Sequence, residues 1–402
     1  MSVKSPPRIG VMLGPHFVRM AGSFGYMKGY FKDYSLGRIP KPYNIVGVSS
    51  GSVVGAVTCP FTQKVFTKAE QRLTHLRGGD FYGQNKNLML WGGVEALGPL
   101  ALFLPWEKIR SGLLRNIAKG TAILGMELAE EQFIEHLFSV NGMFSNYRLF
   151  KLMMEFLDFP GIYNSGILLD LVAANLNGNI LDNSNVAPHI VTNYKPEHMW
   201  QNEILAEGVR QSTSIPGFFE THKNDYGESI TDGGIYSAFP IEIPYNHGCD
   251  VIVIVELNYA GQGYLNHDYS KWTSAIHRAL DITVDDKHTL VLRGCRNMNN
   301  DLEKIKSMEA AISGLESISK DLPARQKEAV NQQIVNLQQA IAGLTAYGKN
   351  FFNLVVVKSR REIPEFNFRS FDEKYMKMSI DIGEEAYMTS RDEIYRAIDR
   401  LQ

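Results

Sequence analysis

Cysteine is scarce in this chain, and its scarcity excludes two classes of protein. The 402 residues include only Cys59, Cys249 and Cys295, which are far apart. A small disulfide-stapled domain uses many more cysteines, and zinc sites that use cysteine need close pairs of ligands. We therefore expect a protein of a reducing compartment with no metal site.

The chain also lacks an excess of charge of either sign. Lys and Arg number 41 against 43 for Asp and Glu, a formal net charge of −2. A nucleic-acid-binding face needs surplus Lys and Arg to neutralise phosphates. The near-equal numbers of basic and acidic residues therefore predict no nucleic-acid partner. The hydrophobic content of 44% separately excludes a chain that is disordered throughout.

No apolar signal core is found at the N-terminus, where residues 1–9 contain Ser, Lys, two Pro and Arg, so we expect a cytoplasmic protein. One long apolar run, residues 88–106, contains a central Glu95 together with three Gly and two Pro. These residues disfavour a membrane span. We interpret the run as the buried core of a cap, with a membrane-contacting lid that gives peripheral membrane contact as the alternative.

Short apolar runs predict strands at residues 8–13, 43–46, 189–192, 251–255 and 353–357. Continuous apolar runs of this length are typical of strands buried on both faces of a parallel sheet. Residues 62–165 show no clear strand pattern and are predicted to form a mainly helical cap. These patterns favour an α/β fold.

A heptad pattern distinguishes residues 299–346 from the rest of the chain. Ile305, Met308, Ile312 and Leu315 follow steps of three and four residues, and a second series follows Pro323. We predict a helical hairpin inserted before the last strand. It serves packing or self-association, or alternatively docks a protein partner.

Residues 47–51, Gly-Val-Ser-Ser-Gly, match the G-x-S-x-G pattern of a sharp strand-to-helix turn that exposes a nucleophilic serine. Small flanking residues let the helix fold back without collision. The serine Oγ then lies above a helix N-terminus, which favours an anionic intermediate. Ser49 is therefore the candidate nucleophile.

The base that would activate this serine is less obvious. An α/β-hydrolase with a Ser-His-Asp triad would offer His247 or His288, but only one strand–helix unit precedes Ser49, which is too little sheet for that fold. Asp232, which begins an Asp-Gly-Gly turn, is the better candidate, because burial at a strand end adjusts a carboxyl pKa for general-base work.

Three segments together resemble the patatin-like phospholipase family. They are the Gly-Val-Ser-Ser-Gly turn, the segment 211–219 (Gln-Ser-Thr-Ser-Ile-Pro-Gly-Phe-Phe), and the Asp-Gly-Gly turn followed by Pro240. They occur in the family's order and cover roughly residues 8–260. Ser49 matches the family nucleophile and Asp232 the family base, and the motif glycines are Gly47, Gly51, Gly233 and Gly234.

The resemblance implies a three-layer α/β/α sheet with a helical cap and acyl-ester hydrolysis by a serine–aspartate dyad, without metal or other cofactor. The expected substrate is a phospholipid or another acyl-ester lipid, cleaved in phospholipase A or lysophospholipase fashion. The predicted units are a catalytic domain at 8–298, the hairpin at 299–346, and a strand and helices at 347–402 that return to the core.

One segment departs from the family pattern. The family has a glycine-rich oxyanion loop after its first strand, and the corresponding residues 15–20 contain no glycine. Pro15 has no N–H to donate. Amides of Phe17, Val18 or Ser50 are the remaining candidates, and Arg19 falls at the family's basic position. The alternative interpretation is therefore a weak or inactive lipid-binding protein that a partner regulates.

Overall fold

The computed structural model describes residues 6–15, 19–76, 80, 83–84, 144–178, 186–259, 272–320, 322–344, 346, 349–361, 363 and 372–401. For residues 83–84, 258–259 and 272–288 it describes the backbone alone. The predicted apolar run at 88–106, with most of the predicted cap, lies outside these residues.

The described strands alternate with helices along most of the chain. The strands are β1 (Ile9–Leu13), β2 (Asn44–Val48), β3 (Gly83–Gln84), β4 (Phe144–Ser145), β5 (Leu168–Asn175), β6 (Ala187–Thr192), β7 (His222–Lys223), β8 (Ser229–Asp232), β9 (Val251–Tyr259) and β10 (Asn353–Ser359). The helices are α1 (Met20–Ser35), α2 (Ser50–Thr58), α3 (Gln63–His75), α4 (Tyr147–Phe156), α5 (Phe159–Asn164), α6 (Asn202–Ser212), α7 (Glu242–Asn246), α8 (Trp272–Ser319), α9 (Ala324–Ala342) and α10 (Glu373–Asp399).

The main sheet has the order β10-β9-β1-β2-β5-β8-β7, and β6 pairs with β5 on its other edge. Strands β10, β9, β1, β2 and β5 are parallel, whereas β6, β7 and β8 add antiparallel pairs. The carboxyl ends of the parallel strands therefore lie at one edge of the sheet, which is where α/β proteins commonly bind ligands.

Apolar layers cover both faces of the sheet. One layer packs helices α1, α2 and α10 against odd-numbered strand residues such as Val11 and Val253. The other layer packs Phe239 and Ile243 against even-numbered residues such as Val46. The class predicted from the sequence, an α/β fold with a mostly parallel sheet between helices, is confirmed.

Strand β5, which joins the parallel and antiparallel parts of the sheet, is not among the strands that the apolar runs of the sequence predict. Its sequence, Leu-Leu-Asp-Leu-Val-Ala-Ala-Asn, contains a fully buried carboxylate, Asp170. Tyr194 Oη and Asn44 Nδ2 donate to this carboxylate at 2.6 and 2.7 Å, and His247 Nε2 lies 3.2 Å from it. These partners, distant in sequence, make a central strand with an internal charge feasible.

The heptad segment forms a pair of helices, α8 and α9. Ile305 and Ile341 are buried between them, and the turn between Ser319 and Ala324 contains Pro323, as the pattern indicates. The first helix begins at Trp272, well before residue 299, and Val291 and Cys295 further along it pack against the sheet layer.

Within the described ranges, no helix combines the length and the apolar character that a membrane crossing requires.

Candidate active site

Two strands meet end to end on one edge of β5. Strand β2 runs parallel to β5 and ends with Val48 opposite Val172, whereas β8 runs antiparallel and ends with Asp232 opposite Ala173. Strand β6 occupies the other edge of β5 over the same residues. The residue after β2, Ser49, is therefore brought directly to the last residue of β8.

Ser49 has a strained backbone at the start of α2. Its φ and ψ angles are 54° and −125°, outside the regions that ordinary residues adopt, and it is the N-cap of that helix. The side chain is 5% exposed. This is the sharp strand-to-helix turn that the sequence motif predicts.

The glycines of this turn permit the close approach of strand and helix. A Cβ atom on Gly51 would lie 2.0 Å from the Leu13 carbonyl oxygen of β1, and one on Gly47 would lie 2.5 Å from Ser52 Cα. Both neighbours are backbone atoms, which cannot move aside cheaply. No side chain fits at either position without moving the turn.

Asp232 accepts a hydrogen bond from the candidate nucleophile. Ser49 Oγ donates to Asp232 Oδ2 at 2.6 Å, and the Gly234 N–H donates to Oδ1 at 2.8 Å. Burial raises the pKa of Asp232 to about 6, although both hydrogen bonds act to lower it. The carboxylate is therefore a stronger base than an ordinary aspartate and is still ionised at neutral pH.

The two glycines after Asp232 form a 3₁₀ turn that packs under the site. A Cβ on Gly233 would lie 2.0 Å from the Val172 carbonyl oxygen, and one on Gly234 would lie 3.0 Å from Asp232 Oδ1. Gly234 also approaches Pro15, the residue two positions after β1. The Asp-Gly-Gly turn thus lies next to both the candidate base, Asp232, and the loop after the first strand.

Residues 212–214, at the end of α6, contact both halves of the site. Ser212 Oγ accepts from the Ser49 N–H at 2.9 Å, and the Ser214 carbonyl accepts from the Asp232 N–H at 3.0 Å. In the sequence this segment contributes to the family resemblance, but no role in the site is predicted for its residues. The polar residues Ser212, Thr213 and Ser214 were the one sequence feature that could have indicated a role in the site. Polar residues are common in turns, so this feature does not distinguish a functional turn from an ordinary one.

The candidate oxyanion residues are described in part. Ser50 is the first residue of α2 and lies at the positive end of the helix dipole. Arg19 is the N-cap of α1, and its charge opposes the burial that raises the pKa of Tyr375. Phe17 and Val18 lie outside the described residues.

His247, one of the two histidines that a Ser-His-Asp triad would use, contacts Asp170 and Tyr194. His247 Nε2 lies 3.2 Å from Asp170 Oδ2 and 3.1 Å from Tyr194 Oη. His288 is part of the long helix α8. Among the described residues, no group of three or more His, Cys, Asp or Glu side chains is arranged to hold a metal ion.

The chain is similar to a solved structure and to a family of known proteins. A solved structure, VipD from Legionella pneumophila, matches with a TM-score of 0.35 and 13% identity, covering 97% of this chain and 67% of VipD. No curated protein sequence matches the chain. The family model for patatin-like phospholipases matches residues 17–245, more than half of the chain and a span that includes both Ser49 and Asp232. The chain therefore belongs to the patatin-like phospholipase family.

Proposed function

We propose that the protein is a lipid acyl hydrolase of phospholipase A or lysophospholipase type, which cleaves fatty-acyl esters with Ser49 as nucleophile and Asp232 as general base. Membership of the family implies acyl-ester hydrolysis at the level of the family. The observation that carries the assignment of residues is the 2.6 Å hydrogen bond from Ser49 Oγ to the buried Asp232 carboxylate.

The first half-reaction transfers the acyl group to Ser49. Asp232 Oδ2 accepts the hydroxyl proton while Oγ bonds to the ester carbonyl carbon, and the carbonyl electrons move to oxygen. When the intermediate collapses, the C–O bond to the leaving alcohol breaks and that alcohol takes the proton from Asp232. An acyl-serine remains.

The second half-reaction releases the fatty acid. Asp232, again ionised, accepts a proton from a water molecule as the water oxygen bonds to the acyl-serine carbonyl carbon. When this intermediate collapses, the bond from that carbon to Ser49 Oγ breaks and Oγ takes the proton from Asp232. A single carboxylate therefore serves both steps. Because its pKa is raised to about 6, it accepts a proton more readily than an ordinary carboxylate in each step.

The oxyanion formed in both steps requires hydrogen-bond donors. We assign one to the Ser50 N–H, at the positive end of the α2 dipole. The loop after β1 supplies the second donor in this proposal, through Phe17 or Val18. Losing one such donor typically lowers the rate by a factor of about 10² to 10³.

One observation favours the alternative of a weak or inactive lipid-binding protein. Pro15, beside the Asp-Gly-Gly turn, has no N–H at a position where the family supplies glycine amides. In this second candidate function the same fold holds an acyl lipid without turnover. Contact with a membrane through residues 88–106 and with a protein partner through the hairpin belong to the proposal in either form.

The deciding experiment measures labelling by a fluorophosphonate together with fatty-acid release from mixed phospholipid and lysophospholipid vesicles. We expect the wild-type protein to be labelled and to release fatty acid. The variants Ser49→Ala and Asp232→Asn are expected to lose both the labelling and the fatty-acid release. His247→Gln is the matched control, since it removes the histidine of the rival triad and is expected to remain active. Full activity of either dyad variant would reject the dyad, and vesicle binding without labelling would favour the alternative.

A further inference from the structure

The backbone N–H of Ser49 is bound by a side chain. It donates to Ser212 Oγ at 2.9 Å, and both residues are buried. Strand β2 ends one residue earlier, so the N–H has left the sheet before the helix begins. A buried N–H without an acceptor would cost free energy comparable to a lost hydrogen bond.

The direction of this hydrogen bond is defined by a second one. Ser212 Oγ donates its own proton to the Val172 carbonyl of β5 at 2.5 Å, which leaves its lone pairs for the Ser49 N–H. Val172 lies opposite Val48, the residue before the nucleophile. The Ser212 hydroxyl therefore connects Ser49 to the neighbouring strand β5 through two hydrogen bonds, accepting one and donating the other.

The same turn also holds the base. The Ser214 carbonyl accepts from the Asp232 N–H at 3.0 Å and from Thr231 Oγ1 at 2.7 Å. The end of α6 thus contacts both dyad residues, Ser49 through a side chain and Asp232 through the backbone. A displacement of this turn would change the distance between Oγ and the carboxylate.

We propose that Ser212 is a positioning residue, which holds the strained Ser49 backbone so that Oγ stays directed at Asp232 Oδ2. This role rests on the proposed function, because it concerns the same nucleophile. The positive φ of Ser49 is sustained only while the surroundings hold it. Without the Ser212 hydroxyl, the N–H has no partner and the turn relaxes toward ordinary backbone angles.

The test compares Ser212→Ala with Thr213→Ala. The control removes a hydroxyl from the same turn, but Thr213 Oγ1 bonds only to carbonyls of α6, those of Val209 and Arg210. Ser212→Thr keeps the hydroxyl and serves as the conservative rescue. For each protein, fluorophosphonate labelling gives two quantities: the fraction of molecules that react and the rate constant of those that do.

In Ser212→Ala we expect the rate constant and kcat for a soluble ester to fall by about 10- to 100-fold, because small displacements of reacting groups have effects of that size. The reactive fraction and KM stay within about twofold of wild type. Thr213→Ala keeps the wild-type rate constant, and Ser212→Thr recovers most of it.

Two results would overturn the role of Ser212. If Ser212→Ala lowers the reactive fraction but keeps the rate constant, the residue only supports folding. If both alanine variants lower the rate constant equally, the hydroxyl has no specific effect. Failure of the proposed function is recognised separately, because the wild-type protein itself would then remain unlabelled.

Discussion

Ser49 Oγ and Asp232 Oδ2 lie 2.6 Å apart although 183 positions separate the two residues in the chain. They meet because β2 and β8 end at adjacent positions on the same edge of β5, opposite Val172 and Ala173. Each residue is 5% exposed, so the hydrogen bond forms in a site largely shielded from water. This relationship determines how both activity and stability should depend on pH.

The activity should fall with an acid limb centred near pH 6. In the proposed mechanism Asp232 must be ionised to accept the serine proton, and burial raises its pKa to about 6. We expect kcat/KM for a non-ionising soluble ester to decrease about tenfold per pH unit below that value. His247→Gln should keep the same profile, which separates the carboxyl from a histidine. A limb near pH 4 would contradict the role of burial.

Replacing Asp232 should raise the free energy of unfolding at pH values above about 6. Because the folded-state pKa of Asp232 is above its ordinary value of 3.8, the wild type loses stability as the pH rises from about 4 to 6, and the loss is constant above that. The difference corresponds to about 3 kcal/mol. Asp232→Asn does not titrate, so its gain in unfolding free energy over wild type should be larger at pH 8 than at pH 4.

Denaturant unfolding at the two pH values measures this difference. Asp225→Asn, at an exposed carboxylate, controls for the removal of one negative charge. Equal effects of the two asparagine variants would contradict a specific cost of burying Asp232.

Adding one methyl group at the nucleophile turn should be severely destabilising. The Cβ of Gly51→Ala would lie 2.0 Å from the Leu13 carbonyl oxygen, and we expect a loss of about 3 kcal/mol or more. Gly314→Ala is the matched control, since apart from the neighbouring backbone of helix α8 itself no described atom lies within 4 Å of its Cβ, and it should gain up to about 1 kcal/mol. Thermal unfolding of both variants measures the contrast, and equal midpoints would contradict the tight strand–helix contact.

The helix pair α8–α9 should be separable from the dyad. Ile341 is buried against Leu302 and Ile305, so Ile341→Ala should cost about 2 to 4 kcal/mol of local stability. Val335→Ala, at a residue 42% exposed on the same helix, should cost much less. Hydrogen exchange is expected to increase within residues 299–342 of Ile341→Ala while fluorophosphonate labelling is unchanged. Slower labelling would show coupling between the helices and the site.

Strands β1, β2, β9 and β10 could be predicted from the sequence because each reads as a short apolar run, and the first three are buried on both faces. Strand β5 could not be predicted in this way. It carries Asp170 and two alanines, which are unfavourable in isolated strands, and its charge is satisfied by Asn44, Tyr194 and His247 from other parts of the chain. Strand β5 pairs with both β2 and β8 and so places Ser49 beside Asp232. Because β5 was not predicted, the contact between these two residues could not be predicted either.

The sequence by itself determined the local chemistry: a serine in a turn that only small residues allow, an aspartate before two glycines, and the order of the family's motifs. Tertiary structure alone decided that Ser49 contacts Asp232, that burial raises the pKa of this carboxyl, and that Ser212 binds the nucleophile's N–H. The reason is physical. Backbone angles and steric limits are set by neighbours in the chain, whereas desolvation and long-range hydrogen bonds depend on the strands that folding brings together.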